Sequence, residues 1–269
     1  MDIPLDVIKI IASYITKHKM KLLDWIPLDW ISLDKLDRET LSGNPNAISL
    51  LEANPDIIDW TGLSRNPNAI HILEANLDKI CWENLSKNPN AIHILEANQD
   101  KIHWFGLSGN KNAIHLLEAD PDKIYWFILE ANPNGLHLFE KYSRKLNNRV
   151  YLSMNPNAIK ILEANPDKID WMYLSRNPNA IHLLEANLDK INWYHLSCNP
   201  NAIHILEANF SKIGWAFLAE NPNAIHILKA NKNDINWKYL SGNPSIFEPD
   251  TKQYNIDLLY TANLLYDLL

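Results

Sequence analysis

One segment of this chain recurs about every 22 residues and constrains the fold more than any other feature. A representative copy over residues 63–82 is Leu-Ser-Arg-Asn-Pro-Asn-Ala-Ile-His-Ile-Leu-Glu-Ala-Asn-Leu-Asp-Lys-Ile-Cys-Trp. A fixed period of this length is typical of a solenoid, in which each unit buries its apolar face by stacking on its neighbours. We number ten units by their anchor Asn, which lies at Asn44, Asn66, Asn88, Asn110, Asn132, Asn155, Asn177, Asn199, Asn221 and Asn243.

Each unit carries two signals for the start of a helix. Asn66-Pro67 and Asn54-Pro55 each place a capping side chain before a residue whose fixed φ suits the first helical turn. The first signal leads to residues 69–75, whose Ala, Ile and Leu residues share one helical face. The second leads to a Trp and a Leu three residues apart, and we expect this shorter helix to begin as a 3₁₀ turn. The sequence therefore predicts an all-α solenoid of about ten helical-hairpin repeats.

Stacking has to supply the stability, because isolated helices shorter than about 12–15 residues are marginal in water. We expect the Trp, Leu and Ile residues to form the core between units, and buried Asn amides to hydrogen-bond along the stack. Adjacent helix layers lie about 8–10 Å apart, so ten units predict an elongated array with two ends, on the order of 80–100 Å long before superhelical curvature.

The repeats are bounded by segments that depart from the pattern, as the caps of a repeat array do. We assign residues 1–36 to an N-terminal helical segment, 37–247 to the solenoid and 248–269 to a C-terminal capping helix. The apolar residues of the last segment suggest that it covers the final Trp layer.

The copy at about residues 129–152 is irregular, since it contains a one-residue insertion and lacks the Trp. Its basic side chains are Lys141, Arg144, Lys145 and Arg149. One interpretation is a drifted repeat with a solvated charged face. The other is a change in superhelical direction that presents a basic patch to an acidic partner.

Seven of the ten His residues recur at one position of the repeat. They are His71, His93, His115, His137, His182, His204 and His226. Equivalent residues in stacked units are too far apart to ligate one metal ion. We expect each His to pair with the Glu three residues later, as in His71/Glu74, in a structural role. A surface that responds to pH is the alternative.

No sequence feature indicates catalysis. The chain has no Gly-rich phosphate loop, His-Glu-x-x-His motif or nucleophile elbow, so we predict a non-enzymatic protein with no cofactor, metal site or small-molecule substrate. A net charge of −7 argues against nucleic-acid binding. Cys81 and Cys198 lie in distant units, and no long apolar run or signal peptide is evident, so we expect an intracellular protein that does not interact with membranes.

The positions that differ most between units are the two residues after the Trp and the residue before the anchor Asn. We call these the variable positions. Aromatic and charged side chains are common there, as they are at interface anchors. We predict a partner-binding surface that includes Arg65, Lys87, Phe105, Tyr173, Arg176, Tyr194, Phe217 and Tyr239.

The N-terminus contains Ile3-Pro4-Leu5-Asp6-Val7, followed by Ile11-Ala12-Ser13-Tyr14-Ile15. These residues resemble the opening of an F-box, although Ile3 replaces the usual Leu and the second half of the motif lacks its run of aliphatic residues. The resemblance implies docking onto the linker subunit of a cullin ubiquitin ligase through Ile3, Pro4, Val7, Ile11, Tyr14 and Ile15. The alternative is an amphipathic helix that caps the first unit.

The repeat itself resembles tandem-repeat families encoded by giant DNA viruses of protists, over nearly the whole chain. It is also loosely similar to short leucine-rich-variant repeats with the same Asn-Pro start. The viral resemblance implies a protein-interaction scaffold in host cytoplasm, and the F-box-like segment adds a role as substrate adaptor. A structural or assembly protein with no ubiquitin link is the alternative.

Overall fold

The computed structural model describes residues 7–8, 12–13, 16, 19–26, 36–146 and 148–268, with the backbone alone for residues 149, 267 and 268. It confirms an all-α solenoid of regular repeats. In chain order the helices are α1 (Arg38–Ser42), α2 (Ile48–Ala53), α3 (Trp60–Ser64), α4 (Ile70–Glu74), α5 (Trp82–Lys87), α6 (Ile92–Ala97), α7 (Trp104–Ser108), α8 (Ile114–Ala119), α9 (Trp126–Leu129), α10 (Leu136–Lys141), α11 (Arg149–Met154), α12 (Ile159–Ala164), α13 (Trp171–Leu174), α14 (Ile181–Glu185), α15 (Trp193–Ser197), α16 (Ile203–Ala208), α17 (Trp215–Leu218), α18 (Ile225–Ala230), α19 (Trp237–Ser241) and α20 (Thr251–Leu268).

The odd-numbered helices α1 to α19 are called inner helices below, and the even-numbered helices α2 to α18 are called outer helices. In most units a 3₁₀ turn follows the outer helix. These turns are Pro55–Ile57, Leu77–Lys79, Gln99–Lys101, Pro121–Lys123, Pro166–Lys168, Phe210–Lys212 and Lys232–Asp234, and an eighth, Pro244–Ile246, follows α19 directly. Two short strands, β1 (Met20–Leu22) and β2 (Phe247–Pro249), pair antiparallel with Met20 opposite Pro249.

One of the two Asn-Pro signals differs from the prediction. Asn66 does not cap an α-helix directly: its Oδ1 accepts from the N–H of Asn68 in a turn, and α4 begins later, at Ile70. Asn54-Pro55 does begin a 3₁₀ turn, as expected. The next inner helix is capped instead by the residue before the Trp, since Asp59 accepts from the N–H of Gly62 at 2.9 Å.

The core of each unit consists of small and aliphatic side chains. Leu63, Ala69 and Leu73 are fully buried in unit 2, and equivalent residues are buried around the array. The Trp residues are half-buried and pack against this core, so Trp lies at the edge of the expected Trp, Leu and Ile core. The Nζ of Lys79 lies 4.8 Å from the centre of the Trp60 ring, and four other Lys–Trp pairs have the same spacing in sequence.

The buried anchor Asn residues join each unit to the one before it. The Nδ2 of Asn66 donates to the carbonyl oxygens of Ser42 at 2.9 Å and Asn44 at 2.8 Å. The same pair of bonds recurs at each following anchor, as the expectation of buried amides in register required. A Ser adds a further link, because Ser64 Oγ accepts from the N–H of Cys81 in the next unit.

The array closes on itself. The Nδ2 of Asn44, in unit 1, donates to the carbonyls of Ser241 at 3.0 Å and Asn243 at 2.9 Å, in unit 10. The N–H of Asp37 likewise donates to Ser241 Oγ at 3.1 Å. These are the contacts that join any two neighbouring units, so the ten units form a ring. The prediction of an elongated array with two ends is therefore wrong. The rotation between units that brings the ends together is not encoded by any single residue, so the sequence did not indicate it.

Both terminal segments lie at the junction of the ring. Residues 23–26 repeat a feature of the 3₁₀ turns, because the N–H of Ile26 donates to Leu23 O as that of Ile102 does to Gln99 O. Ile26 is buried in the main core. Since β1 also pairs with β2 after the last inner helix, the N-terminal segment completes unit 10.

The C-terminal helix α20 does not cover the last Trp layer as expected, because α1 of the first unit packs against α19. Helix α20 packs instead on the N-terminal segment, where Ile8 and Ala12 are buried with Ala262. Lys19 Nζ lies 3.3 Å from Asp257 Oδ2 across the same contact. The two termini therefore hold each other beside the closed ring.

The irregular copy does not change the direction of the array. The Oε2 of the buried Glu130 takes the place of the Ser hydroxyl and accepts from the N–H of Asn148 at 2.8 Å. The Nδ2 of Asn155 then donates to the carbonyl of Glu130 and continues the series of hydrogen bonds made by the anchor Asn residues. Arg144 covers the Trp126 ring at 5.1 Å, and Lys141 pairs with a Glu of the preceding unit at 2.9 Å, so part of the basic cluster has internal partners.

No helix within the described residues is both long and apolar enough to cross a membrane.

Closure makes a direct prediction about stability. Asn110→Ala in mid-array should cost about 2–4 kcal/mol, because it leaves two buried carbonyls and one N–H without this partner. Asn44→Ala, at the junction, should also cost about 2–4 kcal/mol, because Asn44 makes the same three hydrogen bonds there. Urea unfolding followed by circular dichroism measures both.

The matched control is Asn112→Ala, which removes an exposed bond to Pro89 O and should cost less than about 1.5 kcal/mol. A junction variant that is no less stable than wild type would show that units 1 and 10 do not pair.

Candidate functional site

The variable positions face the inside of the ring. In α3, Leu63 and Ser64 are buried toward the core, whereas Thr61 and Arg65, four residues apart, share the opposite side of the helix turn. Side chains from units that are not neighbours can meet only on the concave side of a ring. Arg176 Nη2 of unit 7 lies 3.0 Å from Glu220 Oε2 of unit 9, which places these positions on that side.

Aromatic rings at variable positions form one cluster in units 4 to 6. Phe105 and Phe127 are 6.1 Å apart, and Tyr125, the residue before Trp126, lies 5.6 Å from Phe105, with both pairs edge to face. Phe127 continues to Tyr151 at 5.7 Å. Tyr125 and Phe127 are each 43% exposed, so their ring faces are available to a partner.

A second group of rings stacks across units 7 to 10. Tyr173, His195, Phe217 and Tyr239 follow one another with centroid distances of 5.6, 5.6 and 5.9 Å. The last two pairs are nearly parallel, at 26° and 19°. Tyr194 lies 6.2 Å from Phe217 and is 64% exposed. These rings and the first cluster give units 4 to 10 a largely aromatic inner surface.

Charged and small residues occupy the inner surface of units 1 to 3. Arg65 lies 3.5 Å from Glu39, and Lys87 lies 3.1 Å from Glu83. The Lys87 side chain, through its hydrogen bond, holds the pKa of Glu83 below its usual value. A Cβ on Gly62 would lie 1.9 Å from the carbonyl oxygen of Glu39, so no aromatic ring can stand at that position. The inner surface therefore has an aromatic sector and a polar sector.

The constant residues lie outside the variable rows. His71 Nε2 contacts Glu52 Oε1 of the preceding unit at 2.9 Å, rather than Glu74, so the predicted pairing within one helix is wrong. Five other pairs with the same spacing measure 2.7–3.0 Å, and His137–Glu118 measures 3.8 Å. Each His–Glu pair bridges two outer helices, and both side chains are largely exposed.

Of the predicted site residues, Tyr173, Phe217 and Tyr239 share the stack, with Tyr194 and Arg176 beside it. Phe105 belongs to the first cluster, while Arg65 and Lys87 belong to the polar sector. His195 and Glu220, which also take part, are at variable positions, whereas sequence reasoning missed Tyr125, Phe127 and Tyr151. Phe127 and Tyr151 occupy the same repeat positions as the predicted residues, so the repeat register contained the signal.

Among the F-box-like residues, Val7 is 42% exposed. Ile3, Pro4, Ile11, Tyr14 and Ile15 lie outside the described residues.

Cys198 and His195 are two titratable groups of the inner surface whose pKa values are shifted by burial. Burial raises the pKa of the Cys198 thiol, whose Sγ donates to His195 O at 3.1 Å, so the thiol is held in its unreactive protonated form. No three His, Cys, Asp or Glu side chains in the described part of the chain lie together in a group that could hold a metal ion. The arrangement offers aromatic faces, phenol hydroxyls and paired charges, which suit recognition of another molecule.

Comparison of the chain with protein-family models, with curated proteins and with solved structures finds no match.

The lowered pKa of His195 predicts that the free energy of unfolding depends on pH. Burial, followed by the nearby Arg176, lowers the pKa of His195 below 6.5, against smaller opposing effects of Asp170 and Glu220. The unfolded chain therefore binds the proton more readily, so the stabilisation is present above pH 6.5 and is lost as the pH falls toward the lower folded pKa. His195→Phe keeps a ring in the stack and removes the titration.

The measurement is the difference in free energy of unfolding between wild type and His195→Phe from pH 8 to 5. Wild type should lose stability relative to the variant on acidification, and the other His residues cancel because both proteins contain them. A difference that stays constant or grows in favour of wild type at low pH would contradict the account.

Proposed function

We propose that this chain is a non-enzymatic protein-interaction scaffold that binds its partner on the inside of the ring. The observation that carries the proposal is the separation of constant from varied residues. The Leu, Ala, Asn and Ser residues that hold the ring are nearly the same in every unit, as are the outer His–Glu pairs. The variable positions, in contrast, lie together on the inner surface, where several aromatic side chains are exposed to water. Exposure of a patch of apolar side chains is unfavourable and is typical of an interaction site.

The composition of that surface favours a protein over other partners. Exposed Tyr, Phe, Met and Arg side chains are characteristic of the anchors of protein interfaces. The basic side chains Arg65, Lys87 and Arg176 are each paired with a carboxylate, which leaves little positive charge to attract a phosphate backbone.

Site-specific photo-crosslinking tests the proposal. Benzoylphenylalanine replaces Phe127 on the inner surface in one protein and Phe210 on a 3₁₀ turn in the other. The two side chains are 43% and 48% exposed, so the pair is matched in residue type and accessibility. In extracts of the native source, the Phe127 position should give a defined crosslinked protein band, because the partner lies against it.

The Phe210 position should give no such band. Equal crosslinking from both positions, or none from Phe127, would contradict binding inside the ring.

Adaptor activity for a ubiquitin ligase is a narrower form of this proposal. Its support is the F-box-like sequence and the exposure of Val7 on a segment in which Ile8 and Ala12 are buried against α20. The same extracts test it by affinity capture: the ligase linker subunit should be retained and should be lost with Pro4→Ala. If the linker subunit is not retained, the result favours the alternative, a structural or assembly scaffold with no ubiquitin link.

A further inference from the structure

We propose that the opening at the centre of the ring receives a single amphipathic α-helix of a partner protein. The proposal rests on the function proposed above and specifies the kind of partner for the same surface. Three properties of the inner surface lead to it: the width of the opening, the placement of apolar and charged side chains around it, and its depth.

The width follows from the spacing of the stacked rings. Neighbouring units place the rings of Tyr173, His195, Phe217 and Tyr239 5.6–5.9 Å apart. Ten such steps correspond to a circle on the order of 20 Å across at the level of the rings, compared with about 10–12 Å for an α-helix with its side chains. Residues that project further inward narrow this space. One helix fills it, whereas a single extended strand leaves much of it empty and a folded domain does not enter.

The two sectors of the opening match the two faces of such a helix. Exposed apolar side chains line the aromatic sector, with Phe127, Met154, Met172 and Tyr194 from units 5 to 8 each 39–64% exposed. The polar sector consists of units 1 to 3, and because the ring is closed it borders the aromatic sector on both sides. An amphipathic helix presents an apolar stripe at least about 100° wide and a polar face opposite to it.

The charges of the polar sector are balanced. Glu39, Arg65, Glu83 and Lys87 follow one another around units 1 to 3, as two acidic and two basic side chains. A helix whose polar face carries both signs of charge is complementary to this arrangement, and a polyanion is not. The inner helices contain four to six residues, so at 1.5 Å per residue they are about 6–9 Å long and contact between one and two turns of a bound helix.

The experiment uses the full-length protein and a phage library of random 16-residue peptides, which favours no conformation. Enriched sequences should place apolar residues at positions i, i+3 or i+4, and i+7, and the corresponding synthetic peptide should gain helical circular dichroism on binding. Its affinity should fall at least tenfold with Tyr194→Ser, because that ring lies in the opening. Tyr260→Ser is the matched control: Tyr260 lies on α20 and is 65% exposed, against 64% for Tyr194, and its replacement should change the affinity less than twofold.

Enrichment of sequences with alternating apolar residues, with proline-rich segments or with acidic runs would overturn the inference, as would failure to enrich any sequence. Equal effects of the two Tyr substitutions would also overturn it, since the peptide would then bind outside the ring. If Phe127 still crosslinks to a partner in these cases, only the helical occupant is rejected. If that crosslink is absent too, the proposed function fails with it.

Discussion

The double hydrogen bond made by each anchor Asn is the interaction on which the rest of this structure depends. An inner helix of four to six residues has too few internal bonds to persist alone, and the turn after it leaves carbonyl groups inside the protein. The Nδ2 of Asn88 satisfies two such carbonyls of the preceding unit, at 3.1 and 2.9 Å, and its Oδ1 holds its own turn through the N–H of Asn90. One buried side chain therefore sets both the local turn and the position of the neighbouring unit. Asp and Leu cannot replace it, because neither donates two hydrogen bonds.

Closure follows from repeating that one relation ten times. The inner helices lie close together, while the outer helices are bridged by long His and Glu side chains, so every unit is rotated in the same sense. Asn44 finds the carbonyls of unit 10 where an open solenoid would expose them to water. The ring has one seam, and residues 20–26 complete it beside β2. A ring also gives its centre two sectors with fixed positions, which an open array with free ends would not maintain.

Much of this architecture could be predicted from the chain. The period, the all-helical hairpins, the 3₁₀ start at Asn54-Pro55 and the variable rows follow from local patterns. What could not be predicted depends on geometry between units. The partner of His71 is Glu52, 19 residues earlier, because the neighbouring outer helix lies closer to the imidazole than the next turn of its own helix. The 3₁₀ turn ends at Ile57, two residues before Asp59, which caps α3. The repeat pattern does not define where that turn ends, so it did not identify Asp59 as the cap. Ring closure results from the sum of the small rotations between successive units, and no individual residue indicates it.

A distance measured between the first and last parts of the array tests closure most directly. Spin labels at Asp56 and Asn233 would lie two steps apart across the seam, in a background with Cys81 and Cys198 replaced. Labels at Asp167 and Ser211 lie two steps apart within the array, at the same position of the repeat, and all four sites are exposed. The ring predicts that electron–electron double resonance gives the same distance distribution for both pairs, despite their different separations in sequence. An Asp56–Asn233 distance approaching the length of an open array, on the order of 80 Å, would contradict it.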